Sequence, residues 1–309
     1  MRVIIELPTW LGDSVMTTPA IENIVRQFQD CEIIFIGSKI AIDLMSEHPN
    51  CIASYVLDRK LMYLIKRIRS FRSIDLFISF RSSIRTKLFF VFLDAEKKFQ
   101  FNKHKFSSGH QVEKYNKFVQ ESLNSNFKAG KLKIFNTRKK YQSKLPILGI
   151  NPGASYGSAK CWPYKKFVEV ALTLSKKFDI LILGSPNEIE LSKKITNELK
   201  NNNCKNFKNL TGKTTIKELV GHISTLDLFI TGDSGSMHIA AAFQIPTVSI
   251  FGPTKVNETC QWMNNKSNII KKDLACQPCM QRVCPLGHHE CMNKITSNEV
   301  INSALSLIR

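Results

Sequence analysis

One stretch decides how the rest of the chain is read: Leu226-Asp-Leu-Phe-Ile-Thr-Gly-Asp233-Ser-Gly-Ser-Met-His238-Ile-Ala-Ala-Ala-Phe243. Its apolar start predicts a buried strand over residues 226–231, and Gly232 predicts a tight turn. A helix should then begin at Asp233-Ser234-Gly235, with Asp233 as its N-cap. Because a helix N-terminus offers free amides and the positive end of a dipole, we expect a phosphate or diphosphate to bind here. A plain strand-to-helix connection with a good cap is the alternative.

Short apolar strands alternate with amphipathic helices on both sides of this stretch. Strands are predicted at residues 3–7, 32–37, 54–57 and 74–79 in the first half and at 147–151, 179–184 and 247–252 in the second. Such an alternation is typical of parallel sheets covered by helices on both faces. The chain has 309 residues, which is enough for two cores, so we predict two α/β domains of the Rossmann type.

The segment between the two alternations, residues 97–144, is weakly periodic and rich in Lys, Asn and Ser. We predict a helix around residues 112–123 and a linker around 137–146. The domains are therefore expected at residues 1–145 and 146–295, and residues 296–309 are expected to form a final helix.

Several classes of protein are disfavoured by the sequence. The first apolar run is broken at Glu6 and Pro8, so we expect no signal peptide and a cytoplasmic protein. The longest apolar run, residues 88–93, is far too short to span a bilayer. No Gly-x-Gly-x-x-Gly motif occurs, which argues against a dinucleotide-dependent redox enzyme.

The positive charge is concentrated in one region. The formal net charge is +19, and residues 59–140 hold 21 basic side chains against five acidic ones. Such a surplus favours an anionic partner: a nucleic acid, an anionic membrane surface or a multiply phosphorylated substrate. A solvated basic face in a Lys- and Asn-rich protein is the alternative.

Four residues at predicted strand ends carry groups suited to chemistry on a phosphorylated substrate. Asp13 follows the first strand and could take a proton from a nucleophile, or only cap the next helix. Ser155 and Lys160 lie in a Gly/Ser loop that could surround a phosphate. Glu188 could accept hydrogen bonds from a ribose, or only favour the first turn of its helix.

Four of the nine cysteines form a compact pattern near the end of the chain: Cys276-x2-Cys279-x4-Cys284-x6-Cys291, with His288 and His289 beside them. In a reducing compartment such cysteines stay reduced or bind metal. The pattern allows a structural zinc site, although its second pair is spaced unlike a usual zinc knuckle. Reduced cysteines that pack a loop, or a disulfide formed on oxidation, remain alternatives.

Five motifs in order along nearly the whole chain resemble one family, the lipopolysaccharide heptosyltransferases of glycosyltransferase family 9. The motifs are Leu7-Pro-x-Trp-Leu-Gly-Asp13-x-x-Met-x-x-Pro19, Asn151-Pro-Gly-Ala-x5-Lys160-x-Trp-Pro163, Thr211-Gly-Lys-Thr, Gly232-Asp-Ser-Gly-x-Met-His238-x-Ala-Ala-Ala and Phe251-Gly-Pro-Thr254. The cysteine-rich tail is most similar to the type II enzymes of that family.

This resemblance implies a fold and a reaction. The fold would be α/β of the GT-B type: two Rossmann-like domains facing across a cleft, with the C-terminal helix crossing back to the first domain. The reaction would be an inverting transfer from ADP-L-glycero-β-D-manno-heptose to the first heptose of heptosyl-Kdo2-lipid A. No cofactor is expected beyond the donor, and no metal at the reacting centre.

The resemblance also implies roles for individual residues. Asp13 matches the general base, and Glu188 matches a ribose contact. The residues that match contacts to the donor phosphates are Ser155, Lys160, Asp233, Ser234, Gly235, Ser236 and His238. Amides of residues 234–236, together with Lys160, would stabilise the leaving diphosphate.

The basic region would then bind the phosphates and Kdo carboxylates of an anionic acceptor at the inner-membrane surface, which makes the protein a peripheral one. Arginine suits this task because its guanidinium grips such groups with two hydrogen bonds. The candidates are Arg67, Arg69, Arg72, Arg81, Arg85 and Lys87.

Three other functions remain open. A type I heptosyltransferase or another family 9 enzyme would differ only in its acceptor. A nucleic-acid-binding protein would explain the charge, but no RNA- or DNA-binding motif accompanies it, so we expect no nucleic-acid partner. A nucleotide sensor without catalysis would bind ADP and transfer nothing.

Overall fold

The computed structural model describes residues 1–57, 73–136 and 143–308. The chain divides into two compact units, Met1–Asn136 and Thr137–Arg309. The division lies close to the boundary expected after residue 145. Among the described residues, no helix combines the length and the apolar character that a bilayer crossing requires.

The first unit is built on a parallel sheet of five strands in the order β3-β2-β1-β4-β5. The strands are β1 (Arg2–Glu6), β2 (Glu32–Gly37), β3 (Cys51–Val56), β4 (Ile74–Ser79) and β5 (Ala95–Gln100). Val3 pairs with Ile33 on one side and Leu76 on the other. Val3, Ile4 and Ile5 of this central strand are fully buried, as expected for a parallel strand covered on both faces.

Five described helices accompany this sheet: α1 (Leu11–Met16), α2 (Thr18–Gln27), α3 (Lys39–Met45), α4 (Ile84–Phe92) and α5 (Gln111–Leu123). The last of them is well delimited by its ends. His110 and Glu113 form a capping box, and Asn124 ends the helix in the left-handed conformation with φ 50°. The predicted helix over 112–123 is therefore confirmed. The spacing of Leu61, Leu64, Ile65 and Ile68 predicts another helix over residues 60–71, which lie outside the described residues.

Sequence patterning missed β5 and α4. The strand reads Ala-Glu-Lys-Lys-Phe-Gln, which has little apolar alternation. It forms because β4 offers a free edge, where Ile74 pairs with Ala95 and Ser79 with Gln100. Charged side chains are tolerated there because an edge strand has only one neighbour.

The second unit contains a parallel sheet of six strands in the order β11-β10-β9-β6-β7-β8. The strands are β6 (Ile147–Asn151), β7 (Asp179–Ile182), β8 (Phe207–Asn209), β9 (Leu228–Gly232), β10 (Thr247–Ile250) and β11 (Ser267–Ile270). The described helices are α6 (Tyr164–Leu174), α7 (Ile189–Asn201), α8 (Ile216–Ile223), α9 (Gly235–Ala242), α10 (Val256–Thr259), α11 (Glu290–Asn293) and α12 (Ser297–Ser306). Strands β8 and β11 are short and were not predicted.

In both sheets the strand order reverses at the centre, although all strands run parallel. In each, the first three strands run outward to one side and the chain then returns to start the other side, beside β1 in the first sheet and β6 in the second. Crevices outside the carboxyl ends of the strands at such a reversal are where ligands bind in open α/β sheets. The residues that follow β1 and β4, and those that follow β6 and β9, therefore lie where a ligand is expected.

The C-terminal helix α12 begins with a capping box made by Thr296 and Glu299. Its buried residues Val300, Ile301 and Ala304 belong to the apolar core of the second unit, together with Trp162 and Phe167. The structure groups this helix with the second unit. Its expected return to the first domain stays a prediction.

Candidate active site

The turn between β9 and α9 is built as expected, but Asp233 does not cap the helix. Ser234 is the N-cap, in extended conformation, and its hydroxyl accepts no hydrogen bond from the backbone amides of the first turn of α9. The hydroxyl instead lies 3.1 Å from Thr231 Oγ1 and 2.8 Å from Ser236 Oγ. The hydroxyl of Ser236 accepts a further hydrogen bond from the side-chain amide Nδ2 of Asn151. The amides at the start of α9 are thus free of a side-chain cap and remain a candidate anion site.

Asp233 is used for a charge pair instead. Its carboxylate is 5% exposed. It accepts hydrogen bonds from Lys160 Nζ at 2.5 Å and Thr254 Oγ1 at 2.6 Å. A buried carboxylate needs such partners because burial removes its hydration. The structure therefore pairs Lys160 with Asp233 itself, beyond the shared role at the donor phosphates that the resemblance implies. It also adds Thr254, for which the sequence predicted no role.

Lys160 is held in place from several sides. Its ammonium also lies 3.3 Å from the backbone oxygen of Asp233 and 4.6 Å from the centre of the Tyr156 ring. Its side chain is 12% exposed. These contacts fix its charge at the start of α9.

The loop after β6 contributes further groups. Asn151 is buried, and its Oδ1 lies 3.4 Å from the amide of Gly153. Ser155 lies exposed at the turn of this loop. Pro163 is the N-cap of α6. His238 is buried on α9, one turn behind Ser234.

Glu188 reaches this loop from the 3₁₀ turn after β7. Its Oε2 accepts from the amide of Ser185 at 2.7 Å. A Cβ added to Gly153 would come within 2.3 Å of Glu188 Cδ, and one added to Gly184 within 2.5 Å of Oε2. The carboxyl group thus fills the space between two glycines at the ends of β6 and β7. Burial raises its pKa, although the Ser185 hydrogen bonds oppose that effect.

In the first unit, Asp13 lies in the first turn of α1. Trp10 is the N-cap of this helix, so the alternative in which Asp13 acts as its cap is wrong. The hydroxyl of Tyr115 donates to Asp13 Oδ1 at 3.4 Å. Burial and the charge of Asp13 raise the pKa of Tyr115 well above its usual value, so this hydroxyl stays protonated. The sequence predicted the helix that carries Tyr115 but no role for Tyr115 itself.

One of the basic candidates, Arg81, meets a buried carboxylate. Arg81 Nη1 lies 3.6 Å from Oε1 of Glu6, which is fully buried at the end of β1. Oε2 of Glu6 accepts from Ser79 Oγ at 2.6 Å and Thr86 Oγ1 at 2.8 Å. In the sequence, Glu6 indicated only a break in the first apolar run, and its ion pair and hydrogen bonds were not predicted.

The other basic candidates are less informative. Lys87 is exposed on α4. Arg85 belongs to the same helix, and its side chain is not among those described. Arg67, Arg69 and Arg72 lie outside the described residues. Their proposed role at an acceptor stays a prediction.

The four tail cysteines come together in the structure. Cys276, Cys279, Cys284 and Cys291 line one small cavity, and none of them is in a disulfide. Burial raises the pKa of the Cys291 thiol, and the other three thiols raise it further. Within the described ranges, no three His, Cys, Asp or Glu side chains already stand in an arrangement that would hold a metal ion.

Comparisons with known proteins agree with this architecture. Residues 71–290 match glycosyltransferase family 9 (heptosyltransferase). The lipooligosaccharide heptosyltransferase 2 of Campylobacter jejuni serotype O:2 is 42% identical, over 100% of this chain and 99% of the relative.

Two solved structures share the fold. The Escherichia coli ADP-heptose lps heptosyltransferase II superposes with a TM-score of 0.85 at 20% identity, over 100% of this chain and 98% of that one. The E. coli heptosyltransferase WaaC with ADP gives a TM-score of 0.76 at 14% identity, over 99% and 100% of the two chains. The expected α/β fold of the GT-B type is thereby confirmed.

Proposed function

The chain belongs to glycosyltransferase family 9, the heptosyltransferase family, and we propose that it moves L-glycero-D-manno-heptose from ADP-heptose to the first heptose of heptosyl-Kdo2-lipid A. The observation that carries the proposal is the group of donors at the carboxyl ends of β6 and β9: the start of α9 and the fixed ammonium of Lys160. The type II acceptor follows the relative that is 42% identical over the full chain, a heptosyltransferase 2.

The donor diphosphate would bind at the start of α9. Departure of ADP from the anomeric carbon leaves negative charge on the β-phosphate. Amides of residues 234–236 and the dipole of α9 would stabilise that charge without reorganising. Asp233 would repel a diphosphate if it were alone, but Lys160 neutralises it at 2.5 Å. The pair therefore fixes an ammonium beside the phosphates at little net electrostatic cost.

The nucleoside end of the donor would extend toward Glu188. Its carboxylate can accept hydrogen bonds from both hydroxyls of a ribose. Gly153 and Gly184 allow the carboxyl group to pack between the loops after β6 and β7, because a Cβ at either position would collide with it. Ser155, exposed in the loop after β6, would add a hydroxyl contact to a phosphate.

Asp13 would act as general base for the acceptor. In an inverting transfer the acceptor hydroxyl attacks the anomeric carbon while the bond to the β-phosphate breaks, and its proton passes to a carboxylate. Tyr115 donates to Oδ1 of Asp13. This contact would orient the carboxylate that receives the proton.

The acceptor is a membrane lipid, so we infer that the protein works on the cytoplasmic face of the inner membrane as a peripheral protein. The basic surplus of residues 59–140 supports this location, since anionic lipid surfaces attract such regions. Arg81 would be the first described residue to test as an acceptor contact, because its guanidinium is held at the carboxyl end of β4.

The experiment is an incubation of the purified protein with ADP-heptose and either Kdo2-lipid A or heptosyl-Kdo2-lipid A, with products read by mass spectrometry. We expect one added heptose on heptosyl-Kdo2-lipid A and none on Kdo2-lipid A. Transfer to Kdo2-lipid A instead would make the protein a type I enzyme. ADP binding without transfer to either acceptor would favour a nucleotide sensor.

A further inference from the structure

The four tail cysteines surround a cavity of about 20 Å³, which is room for a single water-sized occupant. Cys276, Cys279 and Cys284 come from an irregular segment, residues 271–289, and Cys291 from the first turn of α11. His288 and His289 also line the cavity. Four cysteines and two histidines around one small space form an arrangement that apolar packing does not require.

The backbone around the cavity is strained. Met280, directly after Cys279, has φ 55°, and His289, two residues before Cys291, has φ 51°. Non-glycine residues in this region persist only where their surroundings impose it. The segment 271–289 contains neither helix nor strand. Individual hydrogen bonds hold it instead, such as those from the amide of Met280 to the carbonyl of Pro253 and from Gln277 Nε2 to the carbonyl of Gly252.

The segment is attached to the loop that carries Ser155 and Lys160. The amide of Ala159 donates to the carbonyl of Arg282 at 3.0 Å. The hydroxyl of Tyr156 donates to the carbonyl of Met280 at 2.6 Å. His289 Nε2 donates to the carbonyl of Ala159 at 2.9 Å.

Gly157 completes this contact. A Cβ there would stand 2.3 Å from the carbonyl oxygen of Arg282, so only glycine allows the two backbones to approach this closely. The conformation of the cysteine segment thus sets the position of residues 156–160, and with it that of Lys160.

We propose that Cys276, Cys279, Cys284 and Cys291 bind one thiophilic metal ion, zinc or iron, in a structural site that holds the Lys160 loop in place. Each thiol would lose its proton on binding, and the four thiolates would complete a tetrahedral shell with metal–sulfur distances of about 2.3 Å for zinc. Cys291 is fixed on α11. The other three can close on the ion because helix and sheet hydrogen bonds do not bind their segment.

The first test is metal content, which does not depend on the proposed function. The tag-free protein, purified without chelators, is measured for zinc and iron by mass spectrometry. We expect about one ion per chain, lost in the variant Cys279→Ser/Cys284→Ser. Cys51→Ser is the matched control: this thiol lies on β3 in the other unit, and a hydroxyl can keep its hydrogen bond to the carbonyl of Ala53.

A second measurement covers the case in which the double variant does not fold. Wild-type protein is treated with a strong chelator and then with an alkylating reagent, and labelled cysteines are located by mass spectrometry. We expect Cys276, Cys279 and Cys284 to become reactive only after chelation, and to be protected again when zinc alone is added back. Metal-free wild-type protein that takes up neither zinc nor iron, or a disulfide among the four, would overturn the proposal.

The link to the Lys160 loop rests on the proposed donor site and has its own measurement. Removal of the ion should weaken ADP binding about 10-fold, the scale on which loss of supporting contacts acts. If the ion is present and its removal leaves ADP affinity unchanged, the link is wrong. If wild-type protein with its ion binds no ADP at all, the proposed function fails and the metal site stands.

Discussion

The first five strands of each unit follow the same order, and the second unit adds one further strand. Both units bury a carboxylate beside a cation at the ends of their central strands, but they use the pair differently. In the first unit Glu6 lies on β1 itself, and two hydroxyls satisfy one of its oxygens, while Arg81 stands 3.6 Å away. In the second unit Asp233 lies in the turn after β9, and Lys160 meets it at 2.5 Å.

The difference has a physical consequence. Glu6 is buried at the carboxyl end of the central strand β1, so its pair with Arg81 supports the loop that follows β4. Asp233 lies at the start of a helix, where the pair brings a positive charge to free amides. The first unit presents a carboxylate, Asp13, and the second presents hydrogen-bond donors. Under the proposed function, one shared strand order would thus provide a base in one unit and an anion site in the other.

The largest expected effect comes from removing the base of the first unit. Asp13→Asn should lower the rate of heptosyl transfer by about 10³-fold, within the range for general bases. ADP affinity should stay unchanged, because the donor groups lie in the second unit. Steady-state rates and calorimetric titration with ADP measure the two. Asp43→Asn, at a surface carboxylate paired with Lys39, is the control. Nearly normal transfer by the Asp13 variant would leave this residue a structural role only.

The next effect concerns the pair of the second unit. Lys160→Ala leaves Asp233 buried without its cation, so the free energy of unfolding should fall by ~3 kcal/mol. ADP affinity should fall about 10-fold, the scale of a lost charge-assisted contact. Adding Asp233→Asn removes the buried charge.

That double variant should therefore regain stability without regaining ADP affinity. Denaturant unfolding and ADP titration separate the two quantities. Full ADP affinity in Lys160→Ala would mean that the pair is structural, as in the first unit.

The pair of the first unit should contribute to stability but not to ADP binding. Glu6→Gln keeps an acceptor for Ser79 and Thr86 but removes the charge opposite Arg81. We expect a loss of about 1–3 kcal/mol in the free energy of unfolding, with ADP affinity unchanged. Unfolding and ADP titration again provide the measurements. A large loss of ADP affinity would contradict the distinction between the two pairs.

The smallest effect is a pH dependence at Glu188. Burial raises its pKa, so its ionised form costs the folded state free energy at neutral pH, and that cost disappears as the pH falls through the raised pKa. Glu188→Gln should therefore raise the melting temperature at pH 7 by no more than about 2 °C. The difference between variant and wild type should shrink toward acidic pH. An unchanged difference from pH 7 to pH 4 would refute the assignment.

Local patterns explain why much of the fold could be predicted. The strands at residues 74–79 and 147–151 are apolar runs bounded by polar residues, and they form within the predicted limits. β5 could not be predicted in this way, because its lysines gain a strand only from the free edge of β4. The capping role of Asp233 was wrong because a buried ion pair outweighs a cap hydrogen bond.

By itself, the sequence determined the two α/β halves, the glycine turns at strand ends and the family, since these depend on short-range periodicity and contiguous motifs. Only the tertiary structure decided which side chains meet. Lys160 and Asp233 are 73 residues apart, and Tyr115 and Asp13 are 102 apart. The pairing of such distant residues depends on how loops pack at the ends of the strands, where side-chain direction follows from the whole sheet and not from local propensity.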